Sequence, residues 1–429
     1  MDSVAAKYME NLGFALVIVN PRPGSKASAS DGTGGLAAAS SKKLEENFMS
    51  SVPETIWPGT AGTSMGARLS ANNARAKKSR KEPEPYKYFP RLGLYIGYMD
   101  REGAKKTEQA GASIHGTESF SLIRPVAKKL ATAKGDLTWG LKRLSVKKLW
   151  ESGLDGKGVR VGHLDTGVDG KHKALRGRLK AFVETDESGD IIDDSHPISK
   201  KAYDSGEHGT HTAGTICGGE VDGMAIGVAP KCDLFSALVI EGGQVIIRVL
   251  TGLEWCLQNN VRVVSMSLGF RGYTPVFLDV VQRLRENGAL PVIAIGNEGR
   301  GTSRSPGNYS ESLSVGAIDA NNRVAEFSSS IKFQRPVEPD QPNVVAPGVD
   351  VISARPHGGV QSMDGTSMAT PHVAGVAAIL FGAEPNATVE QVERAIQTTC
   401  KLLPSDTRGR YGFGLVRPEA ALTALRKMA

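Results

Sequence analysis

Two serines in this chain lie in the same tetrapeptide, Gly-Thr-Ser-Met, and each hydroxyl is a candidate nucleophile. The copy at 62–65 is followed by a polar run in which nothing would fix the rotamer of Ser64 or exclude water from it. The copy at 365–368 leads into an Ala-rich apolar run that predicts a buried central helix, with Pro371 near its first turn. Ser367 would then lie at a helix N-terminus, where unpaired N–H groups and the helix dipole favour developing negative charge.

A serine in this position, taken alone, is more typical of a helix cap, because its hydroxyl accepts a backbone N–H bond. A nucleophilic serine also needs a general base, a carboxylate that orients the base and donors for an oxyanion. Three polar residues are candidates for these roles: Asp165 in VGHLDTG, His208 in HGTHTAGT and Asn297 in AIGNEG. Each also has a structural alternative, as a turn aspartate, a core histidine or a turn asparagine. Their combination favours acyl-transfer chemistry at Ser367.

Together these segments resemble the three signatures of the subtilisin-like serine proteases, in that family's order of Asp, His and Ser. The resemblance covers roughly residues 135 to 425. It implies a serine endopeptidase in which Ser367 attacks the scissile carbonyl, His208 transfers the proton and Asp165 orients the histidine ring. Asn297 and the backbone N–H of Ser367 would hold the oxyanion.

The same resemblance implies how a substrate is held. Members of the family bind a peptide as a strand against backbone edges, so main-chain recognition is broad and selectivity depends on side-chain pockets. The substrate-binding residues carried over to this chain are Ser267, Leu268, Gly269, Phe270, Gly296 and Glu298. Phe270 stands where many members have a glycine and is expected to narrow or cover the first specificity pocket. Glu298 is expected to favour polar or basic side chains.

The resemblance implies no cofactor for the chemistry. Family members often bind calcium in a loop after the helix that carries the histidine, and that loop is 218–224 (GGEVDGM) in this chain. It keeps two carboxylates and several carbonyls but lacks an obvious Asn ligand. We therefore predict no metal-ligating residues, with structural calcium in this loop as the less favoured alternative.

The elements that must position these residues follow an alternating pattern. Apolar runs at 159–164, 261–266 and 290–295 predict strands, and each ends just before a candidate site residue or segment. Helical patterns at 245–258 and 274–287 separate them. This alternation predicts an α/β fold, a doubly wound parallel sheet with helices on both faces. Site residues in such sheets gather at the carboxyl ends of the strands.

Residues 1–127 differ in texture and predict a small α+β domain that precedes a catalytic domain at 128–429. Strand-like runs lie at 13–19, 92–98 and 120–123, with Gly/Ser/Ala-rich or polar inserts at about 24–40 and 58–85. The resemblance implies that this domain is an inhibitory prosegment of a zymogen, which binds its own catalytic domain. An adaptor that binds a partner or target is the alternative, and an inactive peptide-binding module is the alternative for the whole chain.

Composition narrows the partners and the compartment. The net charge of +7, from 52 basic and 45 acidic residues, is a mild excess that favours solubility. The basic run at 75–81 lacks aromatic interleaving and is interpreted as a solvated linker, so nucleic acid is not an expected partner. The apolar run at 12–19 is preceded by Asp2 and Glu10, whereas a signal peptide needs positive charge there. Protein or peptide substrates, no membrane and a cytoplasmic location are therefore expected.

The contrast between the two copies of the tetrapeptide generates the first prediction. Ser367→Ala should abolish hydrolysis of peptide substrates, whereas Ser64→Ala should leave the rate unchanged, because only the second serine has the expected helix N-terminus and partners. Steady-state assays of both purified variants, with circular dichroism to verify folding, make the comparison. Equal loss of activity in two folded variants would contradict the assignment.

Overall fold

The computed structural model describes residues 1–12, 14–21, 44–50, 86–117, 119–186, 188–192, 197–242, 245–404 and 406–428. The chain divides into two compact units, Met1–Glu118 with Thr185–Asp193, and Ser119–Glu184 with Asp194–Ala429. The N-terminal segment of the smaller unit runs to Glu118. The boundary of a functional N-terminal domain at position 127 stays a prediction. Both predicted inserts, Ser64 and the basic run at 75–81 lie outside the described residues.

The smaller unit has an α+β architecture. Its antiparallel sheet has the strand order Tyr86–Phe89, Leu94–Asp100, Phe14–Asn20 and Ser113–Gly116, and its helices are Ser3–Leu12 and Arg101–Gln109. Asp100 is the N-cap of the second helix, and its carboxylate accepts the backbone N–H of Gly103 at 2.8 Å. Two of the predicted strands, at 13–19 and 92–98, are thus present, and they pair with each other.

The larger unit is built on a parallel sheet. Among the described residues, eight strands form it, in chain order β1 Arg160–Asp165, β2 Leu179–Glu184, β3 Asp233–Leu238, β4 Val263–Met266, β5 Leu290–Ala294, β6 Leu313–Ile318, β7 Val344–Pro347 and β8 Gly414–Leu415. Their order across the sheet is β8-β7-β6-β5-β4-β1-β3-β2, and every neighbouring pair is parallel. The prediction of an α/β fold with a doubly wound parallel sheet is confirmed.

Four helices of this unit matter most for the site: α1 His208–Cys217, α2 Val245–Gln258, α3 Leu278–Glu286 and α4 Thr366–Ala383. The remaining helical segments are Trp139–Leu144, Val146–Glu151, Lys173–Leu175, Ile198–Lys201, Pro275–Phe277, Val389–Thr398, Arg408–Tyr411 and Pro418–Leu425. Helix α2 has the predicted bounds, and the pattern at 274–287 divides into a short 3₁₀ turn and α3.

Helix α4 is the centre of the hydrophobic core. It packs on β4, β5, β6 and β7 and against α1. Among the described residues only this helix is long and apolar enough to cross a membrane, and 89% of that stretch is buried inside the protein. Apolar side chains occur all round the helix because sheet, α1 and the C-terminal helices cover it on every side.

A proline inside α4 differs from the sequence prediction. Pro371 was expected near the first turn, but α4 begins at Thr366, so the proline lies in the second turn. Proline has no N–H to donate to the carbonyl four residues before it, which here belongs to Ser367. That carbonyl instead accepts the hydroxyl of Ser267 at 3.3 Å. The helical hydrogen bond that Pro371 cannot make is therefore replaced by a contact between α4 and the segment that follows β4.

Short antiparallel ladders surround the main sheet. Ser121–Leu122 pairs with Leu268–Arg271, which also pairs with Arg304–Ser305. Ala127–Ala131 pairs with Val360–Asp364, which also pairs with Val351–Ala354. The remaining short pairs are Glu220–Val221 with Met224–Ala225 and Ile331–Lys332 with Asp340–Gln341. Residues 119–131 therefore belong to the larger unit because both of their strands pair with its backbone edges.

The start of α1 generates a prediction about packing. A Cβ atom at Gly209 would come within 1.9 Å of the backbone oxygen of Gly167, in the loop after β1. Gly209→Ala should therefore lower the free energy of unfolding by about 1–3 kcal/mol, because overpacking outweighs the better helix propensity of alanine. Gly242→Ala is the matched control, since its Cβ would meet nothing within 4 Å. Urea unfolding midpoints that are equal for both variants would contradict the prediction.

Candidate active site

The predicted site residues come together at one edge of the sheet. Asp165 is the last residue of β1, Ser267 follows β4 and Asn297 follows β5. These three strands are neighbours in the sheet, and their carboxyl ends point the same way because all are parallel. His208 is the first residue of α1 and Ser367 is the second residue of α4, so both begin helices at this edge.

Asp165 and His208 form a buried hydrogen bond. The Nδ1 atom of His208 lies 2.7 Å from Oδ1 of Asp165, and both side chains are 2% exposed. The same Oδ1 accepts the backbone N–H of Thr166 at 2.7 Å, and the Thr212 hydroxyl lies 3.2 Å from Oδ2. Burial raises the pKa of the Asp165 carboxyl, but His208 and the other donors outweigh that effect and lower the pKa overall. Asp165 is therefore ionised at neutral pH.

The other ring nitrogen of His208 is available for proton transfer. Among the described residues, buried Nε2 has no hydrogen-bond partner. Because Asp165 is an ionised acceptor, Nδ1 carries the ring proton of the neutral imidazole and Nε2 presents its lone pair. Such a lone pair is able to accept a proton. The Ser367 hydroxyl donates to the oxygen of Ile123 in this structure and not to Nε2 of His208.

The hydroxyl of Ser367 contacts a peptide carbonyl. It donates to the backbone oxygen of Ile123 at 2.5 Å, and Ser367 is fully buried. The side chain of Asn297 contacts the next carbonyl, since Nδ2 donates to the oxygen of Arg124 at 2.9 Å. The backbone N–H and the hydroxyl of Thr366 donate to Oδ1 of Asn297 at 2.9 and 2.8 Å, so the orientation of the amide is fixed.

Residues 121–123 lie as a short strand along the edge that was predicted to hold substrate. Leu122 pairs with Leu268 and Ser121 with Gly269 in an antiparallel ladder. The ladder continues with the N–H of Ile123, which donates to the oxygen of Ser267 at 2.9 Å. The chain itself thus shows that this edge accepts an antiparallel peptide strand.

Phe270 lies beside Phe120 at this edge. The two rings meet edge-on with centroids 4.5 Å apart, and Phe277 completes the cluster at 5.2 Å from Phe120. Phe270 was expected at the first specificity pocket. In the structure the Phe270 ring contacts Phe120, a residue of the segment that reaches the Ser367 hydroxyl at Ile123.

Glu298 is paired within the chain. Its Oε1 accepts Nε of Arg304 at 2.9 Å and Nη2 at 2.5 Å, while Nη1 of Arg304 donates to Ser121 Oγ at 3.1 Å. Burial raises the pKa of Glu298, but the hydrogen bonds and charge of Arg304 lower it overall. Gly296 borders this pair, because a Cβ there would lie 2.7 Å from Oε2 of Glu298. Arg304 therefore balances the charge that was expected to attract basic substrate side chains.

Sequence reasoning missed several residues of the site. Thr366 and Arg304 were not predicted to contact it, and neither was His163, two residues before Asp165. Only His163 and Thr366 carried a local signal, as a polar residue inside an apolar strand and as the neighbour of Ser367. Arg304 reaches the site because its short strand pairs with the distant strand Leu268–Arg271.

Two further histidines near the site have backbone partners. Nε2 of His211 lies 3.0 Å from the oxygen of Val351, and Nδ1 of His372 lies 2.8 Å from the oxygen of Met368. Burial lowers the pKa of His211 to about 3 and that of His372 to about 4. Both rings are therefore neutral and structural.

The loop after α1 does not fit calcium well. Glu220–Val221 and Met224–Ala225 form a tight hairpin, and a Cβ at Gly219 would come within 2.6 Å of the Arg178 guanidinium. A neighbouring positive charge opposes cation binding. Within the part of the chain that the structure describes, no group of three or more His, Cys, Asp or Glu side chains could hold a metal ion.

Comparisons with known proteins agree with this geometry. The subtilase family model matches residues 156–414. Subtilisin E of Bacillus subtilis (strain 168) is 30% identical over 362 residues, which cover 82% of this chain and 87% of the relative. Alkaline elastase YaB of Bacillus sp. (strain YaB) is 36% identical over 293 residues, 68% of this chain and 71% of the relative. The chain therefore belongs to the subtilase family and is a subtilisin-like serine endopeptidase.

Proposed function

We propose that this endopeptidase acts through a triad of Asp165, His208 and Ser367, with Asn297 and the backbone N–H of Ser367 as oxyanion donors. One observation carries the proposal: the Ser367 hydroxyl and the Asn297 amide contact two successive carbonyls of a peptide strand, at Ile123 and Arg124. A hydroxyl and an amide donor that face a peptide backbone are the two groups that acyl transfer needs.

The chemistry then follows the known triad steps. Ser367 Oγ bonds to the scissile carbonyl carbon while its proton moves to Nε2 of His208, and Asp165 stabilises the resulting imidazolium. The carbonyl electron pair becomes an oxyanion that Asn297 holds. When this intermediate collapses, the C–N bond breaks, the amine takes the proton from His208 and an acyl-enzyme remains. Water, deprotonated by His208, then releases the acid and restores Ser367.

We further propose that residues 120–126 inhibit this site as an uncleaved substrate mimic. The hydroxyl of Ser367 donates a hydrogen bond to the carbonyl oxygen of Ile123, whereas the Asn297 amide donates to the carbonyl oxygen of Arg124. The nucleophile and the oxyanion donor therefore contact different carbonyls. The next residue, Pro125, makes the Arg124–Pro125 bond a tertiary amide. Neither the Ile123–Arg124 bond nor the Arg124–Pro125 bond therefore has both the Ser367 hydroxyl and the Asn297 amide in position for cleavage.

The chain stays paired with the larger unit beyond Pro125. The N–H of Val126 donates to the oxygen of Asp364 at 2.8 Å, and Ala127–Ala131 continues in a ladder beyond the nucleophile. In our proposal, residues 1–127 are a prosegment whose last part occupies the substrate edge. An adaptor role for the N-terminal unit, and an inactive peptide-binding module, remain the alternative functions.

Asn297→Ala tests the oxyanion role. The variant should lower kcat by about 10²–10³, the loss measured for the corresponding asparagine of subtilisin itself, and change KM little. The physical reason is that the amide bonds the oxyanion more strongly than the ground-state carbonyl. A fluorophosphonate that labels Ser367 in wild type identifies the active fraction and separates an enzyme from an inactive module. An unchanged kcat would remove Asn297 from the oxyanion hole.

Phe120→Ala tests the inhibitory strand. Loss of the aromatic contacts with Phe270 and Phe277 should weaken docking, and each 1.4 kcal/mol lost raises the open fraction about tenfold. We expect kcat/KM for small peptides to rise by about 10- to 100-fold. Leu130→Ala is the matched control, because Leu130 lies in the adjoining strand and is 75% exposed. If both variants hydrolyse peptides at the wild-type rate, the inhibitory proposal fails while the endopeptidase assignment stands.

A further inference from the structure

A second imidazole, His163, lies behind the carboxylate of Asp165. It precedes Asp165 by two positions in β1, so both side chains project to the same face of the sheet. The ring is 1% exposed, and both nitrogens meet hydroxyls: Nδ1 lies 3.0 Å from Ser236 Oγ and Nε2 lies 2.9 Å from Thr212 Oγ1. Ser236 is the direct register partner of His163 in β3. His163 and Ser236 have no role in the triad steps described above.

Ser236, His163 and Asp165 are the residue types of a triad, but their arrangement does not fit a nucleophile. Ser236 lies within β3, an internal strand of the sheet between β1 and β2, and its side chain is fully buried. Its hydroxyl contacts the His163 ring, whereas that of Ser367 contacts a peptide carbonyl. The order of contacts is Ser236, His163, Thr212, Asp165 and then His208, which is a chain of hydrogen bonds that ends on the proposed base.

Electrostatics determine the direction of this chain. The Thr212 hydroxyl has one proton and three acceptors in reach: Oδ2 of Asp165 at 3.2 Å, the oxygen of His208 at 3.2 Å and that of Gly209 at 3.1 Å. A buried carboxylate attracts that proton most strongly. The Thr212 oxygen then accepts Nε2–H from His163, and Nδ1 accepts the Ser236 hydroxyl. All donors in the chain therefore point towards Asp165, which strengthens each bond.

We propose that His163 is a positioning residue for hydrolysis, a neutral donor that directs the Thr212 hydroxyl onto Oδ2 of Asp165 and so moderates how strongly Asp165 holds the protonated ring of His208. This inference rests on the proposed triad. It adds that Ser236 fixes the tautomer of His163. Without His163 the Thr212 proton is free to turn to either backbone carbonyl, and the carboxylate loses a donor.

The charges around His163 agree with a neutral ring. Burial lowers the pKa of His163, and Asp165 and Asp204 oppose that shift only in part, while His208 adds to it. From β3, the group opposite the ring is the uncharged Ser236 hydroxyl, and from α1 it is that of Thr212. The ring therefore acts as one donor and one acceptor rather than as a charge.

The test is the pH profile of kcat/KM for the full-length chain. In His163→Leu the carboxylate of Asp165 loses support and holds the protonated His208 more strongly, so the acid limb should move to higher pH by about 0.5–1 unit. KM should stay the same. His163→Gln keeps an N–H donor near the position of Nε2 and should retain the wild-type limb. The pH dependence of fluorophosphonate labelling at Ser367 should show the same shift without substrate binding.

Thr212→Val supplies the second arm. Removal of the Thr212 hydroxyl should move the acid limb of the kcat/KM profile to higher pH, as His163→Leu does. The double variant should show no further shift, because both substitutions act through the same hydrogen bond from Thr212 to Asp165. An unmoved limb in Thr212→Val, or additive shifts in the double variant, would overturn the proposal even if His163→Leu does not fold. His208→Ala separates this failure from failure of the triad: retained hydrolysis there means that the triad itself is wrong.

Discussion

The hydrogen bond between Asp165 and His208 imposes a constraint on which the rest of the site depends. A carboxylate removed from water is costly unless donors surround it, and unpaired burial would neutralise the group instead. The donors come from two elements, the backbone of Thr166 after β1 and the side chains of His208 and Thr212 on α1. Helix α1 must therefore begin directly beside the carboxyl end of β1, and Gly209 permits that approach.

Helix α4 supplies the other half of the site within two turns. Thr366 holds the Asn297 amide, Ser367 presents its hydroxyl, and Pro371 leaves the Ser367 carbonyl free to accept Ser267. The proposed nucleophile, the Asn297 amide and the strand-binding edge at Ser267 are thereby connected through one helix packed in the core. Such a connection keeps the reacting groups within the narrow range of geometry that acyl transfer tolerates.

The edge next to Ser267 accepts a strand by main-chain hydrogen bonds, and such bonds do not distinguish the chain's own segment from a substrate. A tethered segment has a high effective concentration, so a free peptide competes poorly until that segment leaves. In the proposed inhibition, side-chain contacts decide whether the chain's own segment or a substrate occupies the edge, above all the contacts of Phe120 with Phe270 and Phe277. Under this proposal, peptide hydrolysis is limited by opening of the strand as much as by chemistry.

The amino-acid sequence by itself determined the class of chemistry and the fold that supports it. Apolar runs that end at Asp165 and near Asn297 identified strand ends, because hydrophobic periodicity is local and short strands keep it. The sequence did not determine that the Ile123 carbonyl would accept the Ser367 hydroxyl, or that His163 and Ser236 would contact each other from adjacent strands. Periodicity reports which side of an element is buried but not which distant segment covers it. Those contacts join residues far apart in the chain, so only the tertiary structure decided them.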